Sequence, residues 1–136
     1  TILQWQLTSD YSILTGAGVY GSEGKLRTTQ RFWNLKQLGM TPPGSFYLPI
    51  TGASPDVSCT ALADIADQIY SFHLVNNGAA RDVMLTGLPY EVKELQIFHT
   101  DAERDMKRGK KIQVENGTAR FTLDSACFTS LFSNLE

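Results

Sequence analysis

Residues 69–100, IYSFHLVNNGAARDVMLTGLPYEVKELQIFHT, decide the fold class. Tyr70, Phe72 and Leu74 fall on one side at a period of two, with Ser71, His73 and Val75 on the other. That is the pattern of a strand whose faces meet different environments. Asn77-Gly78 has the composition of a tight reversal, which would return residues 82–86 beside this first strand. After Gly87-Leu88-Pro89, residues 92–99 read as a third strand, with Leu95 and Ile97 inward and Glu94 and Gln96 outward. The pattern recurs in residues 111–115, the turn pair Asn116-Gly117 and residues 118–123, where Ala119, Phe121 and Leu123 share a face. Residues 126–132 supply a closing strand, with Phe128, Ser130 and Phe132 on one face and Cys127, Thr129 and Leu131 on the other. Short strands joined by short turns predict a mainly β fold, an antiparallel Greek-key-like β-sandwich. Its expected core includes Phe46, Phe72, Leu74, Leu95, Ile97, Phe121, Leu123 and Phe128.

The bulk properties bound the rest. A chain of 136 residues suffices for one sizeable core and is too short to expect two. With 42% apolar and 19% charged residues it belongs among folded globular chains rather than disordered ones. A formal net charge of -2 with interspersed signs gives no general attraction to nucleic acid or anionic membrane, so no nucleic-acid partner is expected. Apolar runs fall short of a bilayer span, so no membrane insertion is expected, and the N-terminus lacks the basic and cleavage regions of a signal peptide. The start at Thr1, without an initiator Met, reads as a chain with residues missing upstream. Cys59 and Cys127 are widely separated and only His73 and His99 offer imidazoles, so no metal cluster is expected. Each cysteine lies among apolar or β-prone residues, which favours buried free thiols over a disulfide.

Ahead of the sandwich, residues 2–7 read as a strand and residues 8–12 as a polar loop. Glycines at 16, 18, 21 and 24 then make an irregular stretch that lacks the G-x-G-x-x-G spacing, so no cofactor is implied. Thr28 or Thr29 caps a short helix through Leu38, with Phe32, Leu35 and Leu38 as its apolar stripe, Gly39 at its end, and Trp33 and Lys36 turned toward an adjoining body. Pro42-Pro43 stops the helix, and Pro49 demotes the strand at 46–50 to an edge. Residues 57–62 fit a strand, or a strand followed by a helical turn. Residues 101–111 read as a solvated charged loop, whose acids lack the glycine and terminal glutamate of a calcium loop. The composition shift near 40–45 divides the chain into a strand, loop and helix at 1–40 and a β-sandwich at 41–136.

The segments WQLTSDY at 5–11, QRFWNLKQL at 30–38 and PPGS at 42–45 resemble the junction in retaining (β/α)₈-barrel glycoside hydrolases of the polysaccharide-degrading type. In that family the last barrel strand and helix lead into a C-terminal β-sandwich. Residues 70–77, 95–100 and 121–123 are similar to strands of such sandwiches, so the resemblance spans nearly the whole chain.

The resemblance implies a noncatalytic structural or accessory domain, because the two carboxylates of retaining hydrolysis would lie on barrel strands upstream of Thr1. No catalytic residue is assigned here: Ser71 and His73 share a strand face, and no Gly-x-Ser-x-Gly elbow or activating acid accompanies them. Trp5 and Asp10 are the candidate sugar contacts, and Trp5, Phe32 and Trp33 the candidate interface with an upstream catalytic barrel or another copy of the chain. Polysaccharide is the implied ligand, and a secreted, periplasmic or cell-surface parent is the implied setting. An independent carbohydrate-binding module is the alternative. It requires two or three aromatics on one exposed platform, whereas Tyr20, Tyr47, Tyr70 and Tyr90 are dispersed.

Overall fold

The computed structural model describes residues 12–52 and 54–134. In chain order the elements are β1 (Leu14–Thr15), β2 (Arg27–Thr28), α1 (Gln30–Leu38), β3 (Phe46–Leu48), β4 (Val57–Asp64), β5 (Ile69–Asn76) and β6 (Arg81–Thr86). They continue with β7 (Glu94–Thr100), β8 (Lys107–Arg108), β9 (Ile112–Glu115), β10 (Thr118–Leu123) and β11 (Cys127–Phe132). The expected strand at 2–7 lies outside the described residues. β1 and β2 form a small ribbon, and the other nine strands follow one antiparallel path, β3-β4-β5-β11-β7-β9-β10-β6, with β8 attached to β7. The fold is therefore a mainly β, Greek-key-like half-barrel preceded by a strand, loop and short helix.

Two features close this path into a core. β11, the last strand in the chain, inserts between β5 and β7, so all its residues are buried. β7 then serves both layers: residues 96–100 pair with β11, while Glu94 and Leu95 pair with Gln113 and Ile112 of β9. Inside the fold, Ala61, Phe72, Leu74, Leu95, Ile97 and Leu131 meet Leu88, Val92, Ala119 and Leu123, with Val83, Leu85, Val114 and Phe121 packed at the margin. Seven of the expected core positions pack here or, as Phe128, under the helix side. The eighth is corrected: Phe46 is 69% exposed, because β3 ends the path and pairs only with β4. Pro49 is consistent with this edge position.

The two Asn-Gly pairs behave differently. Asn116-Gly117 makes the expected two-residue hairpin, both residues at positive φ (50° and 70°), and joins β9 to β10. Asn77-Gly78 does not return β6 to β5. Both edges of β5 are taken, by β4 and β11, and β6 pairs with β10 instead. The Asn76 side chain bonds Ala79 O, Asp124 O and the Gly78 N–H, which steers the chain across to the other layer.

Three smaller expectations also change, and one open alternative closes. Gln96 lies on the outer face, as expected, but is buried there, its amide donating to Ile97 O and Gly109 O and its carbonyl accepting from Arg108. Cys59 is exposed, because it sits near the open end of β4. Residues 57–64 are all strand, without a helical turn. Residues 101–111 are not simply a solvated loop: they contain β8 and a folded clasp around Arg104. Among the described residues, no helix is long and apolar enough to cross a membrane.

Candidate functional site

The outer face of the sheet, opposite the core, is polar where α1 lies on it. Register places Ser71, His73, Phe98, Thr100, Phe128, Ser130 and Phe132 on this face. Gln37, fully buried, reaches down from α1: its amide donates to Ser130 Oγ at 2.9 Å and Phe128 O at 3.2 Å, and its carbonyl accepts from Thr100 Oγ1 at 2.7 Å. Ser130 Oγ in turn lies 2.7 Å from His73 Nδ1, and His73 Nε2 lies 2.8 Å from Thr41 Oγ1 beyond the helix. Thr29 precedes the helix, but its hydroxyl donates to Ser12 O instead of capping, which ties the helix start to the segment before β1. Gly39 ends the helix in right-handed geometry. The hydrogen bonds of Gln37 thus tie α1 to the sheet.

This changes the reading of the helix faces. Trp33 and Asn34 lie four and three residues before Gln37, on the same side of the helix, so they belong to the sheet-facing side. Trp33 Nε1 and Asn34 Oδ1 are enclosed and have no hydrogen-bond partner among the described residues. Phe32, Leu35 and Leu38 are half-buried. Phe32 meets Trp33 edge to face at 5.0 Å, and Lys36 Nζ stands 5.1 Å from the Trp33 ring. The two other sequence candidates, Trp5 and Asp10, lie outside the described residues.

The expected strand-face neighbours Ser71 and His73 do not form a reactive pair. Ser71 Oγ donates to Leu62 O, while both His73 nitrogens are engaged elsewhere and the ring is 3% exposed. Burial lowers the His73 pKa to about 4, which keeps the ring neutral at ordinary pH.

Two further features were not legible in the sequence. Tyr90, 82% exposed, borders an open cleft of about 330 Å³ lined by Leu88, Val92, Val114 and Asn116, with Lys93 Nζ 3.3 Å from the Tyr90 ring centre. Among the described residues, topology does not assemble a platform of several aromatics: Phe46 and Tyr47 lie on β3, at one end of the strand path, whereas the cleft lies by the β9–β10 hairpin.

The second feature is a polar cluster at the end of β7 and β11. Arg104 Nη2 donates to Asp124 at 2.7 Å and to Cys127 Sγ at 3.8 Å, and the guanidinium also binds Asp101. His99 Nδ1 is 4.0 Å from Cys127 Sγ. The ligand atoms of His99, Asp124 and Cys127 all lie within 4.8 Å of one another. Burial raises the Cys127 pKa and lowers that of His99, while hydrogen bonding from Arg104 holds Asp101 below the usual carboxylate range. Asp101 and Asp124 share the Arg104 cation, and Asp101 is thereby held ionised rather than poised as a proton donor. The cluster joins residues 99–104 to residues 124–127, and the β7–β11 register, with His99 opposite Thr129, brings these two segments together.

No family model and no curated protein matches this sequence. The fold is similar to part of several solved glycoside hydrolases. A family 30 endoxylanase from Clostridium papyrosolvens C71 matches with a TM-score of 0.72 at 22% identity, over 79% of this chain and 28% of that one. A family 30 subfamily 8 xylanase from Clostridium acetobutylicum matches with a TM-score of 0.77 at 13% identity, over 96% of this chain and 33% of that one. A family 44 xyloglucanase from Paenibacillus polymyxa gives 0.65 at 12% identity, over 87% and 26%. At these identities the likeness is one of fold. The chain spans a third or less of each of these proteins.

Proposed function

We propose that this chain is a noncatalytic accessory domain, C-terminal in a longer polysaccharide-degrading glycoside hydrolase, and that it supports an upstream catalytic barrel. The observation that carries this reading is the fold likeness over 96% of this chain to one third of a xylanase. The helix side supplies the docking surface. α1 is fixed to the sheet through Gln37, and its stripe of Phe32, Leu35 and Leu38 is only half covered. On this reading residues 1–40 form the junction and residues 41–136 the sandwich, while Trp5 joins Phe32 and Trp33 at the interface and Trp5 and Asp10 approach the sugar. A polymer substrate also calls for a parent that works outside the cytoplasm.

A second reading, an independent carbohydrate-binding module, draws support from Tyr90 beside its cleft. An exposed ring packs against sugar C–H surfaces while neighbouring polar groups take the hydroxyls.

One preparation tests both. The purified chain is assayed for reducing-end release on a panel of β-linked polysaccharides, and for retardation in gels containing the same polymers. The accessory reading expects no turnover and no retardation; reproducible turnover abolished by substituting one of the chain's own carboxylates overturns it. Retardation lost in Tyr90→Ala transfers the assignment to the binding module.

A further inference from the structure

We propose that His99, Asp124 and Cys127 form a site for a thiophilic divalent transition metal, of which Zn²⁺ is the representative, with Arg104 as the side chain that gives way to it. Imidazole nitrogen, carboxylate oxygen and thiolate sulfur are the donor types of a three-ligand zinc site, which leaves a fourth position for water. Tetrahedral zinc with a Zn–N bond of about 2.0 Å and a Zn–S bond of about 2.3 Å places nitrogen and sulfur about 3.5 Å apart. Here His99 Nδ1 and Cys127 Sγ are 4.0 Å apart, and the carboxylate completes a set within 4.8 Å. Small side-chain rotations close that set.

The surroundings of Cys127 set it apart from an ordinary buried cysteine. It is 2% exposed, yet Sγ faces His99, Arg104 and Thr129 Oγ1 (3.6 Å) instead of the apolar packing typical of buried thiols. Arg104 now supplies the positive charge between Cys127 and Asp124. It has a second anchor, because Asp101 binds its Nε at 2.7 Å and also its Nη2. Withdrawal of Nη2 from Asp124 therefore leaves the guanidinium paired with Asp101.

The charges balance in the loaded state. The metal's two positive charges meet the Cys127 thiolate and the Asp124 carboxylate, Arg104 meets Asp101, and the thiol proton passes to the buffer. A sulfur and nitrogen donor set selects zinc or cobalt over magnesium or calcium.

The test uses the reduced, chelator-treated 136-residue chain titrated with Co²⁺, whose thiolate charge-transfer absorption reports sulfur ligation directly. A band that saturates at one cobalt per chain, is displaced by Zn²⁺ and is unaffected by Mg²⁺ is expected. Cys127→Ser should abolish the band and weaken binding by at least about tenfold, whereas Cys59→Ser should leave both unchanged. Arg104→Gln should tighten binding, since it removes the competing cation. His99→Gln, checked for native circular dichroism, stands in if Cys127→Ser does not fold. The proposal is overturned by absence of the band at one equivalent, by its loss in Cys59→Ser instead of Cys127→Ser, or by weaker binding in Arg104→Gln.

Discussion

His73 is held in a buried network in which both ring nitrogens have a partner. Ser130 Oγ takes a hydrogen bond from the Gln37 amide and lies 2.7 Å from His73 Nδ1, while Thr41 Oγ1 lies 2.8 Å from Nε2. Burial disfavours the charged ring and lowers its pKa to about 4. The unfolded chain takes up the second ring proton near the ordinary histidine value of 6.5, and the folded chain refuses it until about 4. Stability is therefore full above pH 6.5 and falls as pH is lowered toward 4. Urea unfolding midpoints should drop between pH 7.5 and pH 5, and His73→Gln should flatten part of the slope. Part remains, because the His99 pKa is also lowered and acts in the same direction. A midpoint that does not move with pH in the unsubstituted chain contradicts this account of the ring. The sequence showed that Ser71 and His73 share a strand face. It did not show that this face is buried, because the cover comes from Gln37, a polar residue that no apolar periodicity marks.

At the scale of elements, the two Asn-Gly pairs show what a dipeptide can and cannot specify. Asn116-Gly117 joins strands that have free edges for each other, and the hairpin forms as its composition predicts. Asn77-Gly78 follows a strand whose two edges are occupied by β4 and β11, partners that local sequence does not reveal. Pro49 marked the strand of Phe46 as an edge, but the sequence did not show that the Phe46 side chain itself is left exposed there. The strands were thus legible and their neighbours were not. The hairpin yields a ranked prediction. A Cβ on Gly117 would stand 2.8 Å from Leu88 O at a φ of +70°, so Gly117→Ala should cost about 2 kcal/mol or more. Asn116 has open surroundings and a side chain that tolerates positive φ, so Asn116→Ala should cost about 1 kcal/mol. Denaturant midpoints of the two variants check the order. Equal losses, or a neutral Gly117→Ala, would show that the turn is not held in this geometry.

For the whole molecule, the fold class was readable because alternation and turns recur along most of the chain. The metal-ligand cluster was not, because residues 99, 124 and 127 meet only through the insertion of the last strand between β5 and β7. Phe32 and Trp33 lie side by side on α1, and the hydrogen bonds of Gln37 tie that helix to the sheet. The stripe of Phe32, Leu35 and Leu38 is only half-buried, and a docked domain would cover apolar surface that costs free energy when left in water. The most direct measurement is the structure of the full-length protein that contains this chain. The account predicts an upstream catalytic domain that supplies both catalytic carboxylates and packs on the Phe32 side of α1. A reading frame that encodes no such domain, an active site assembled from residues of this chain, or an α1 surface left in solvent beside the catalytic domain would contradict it.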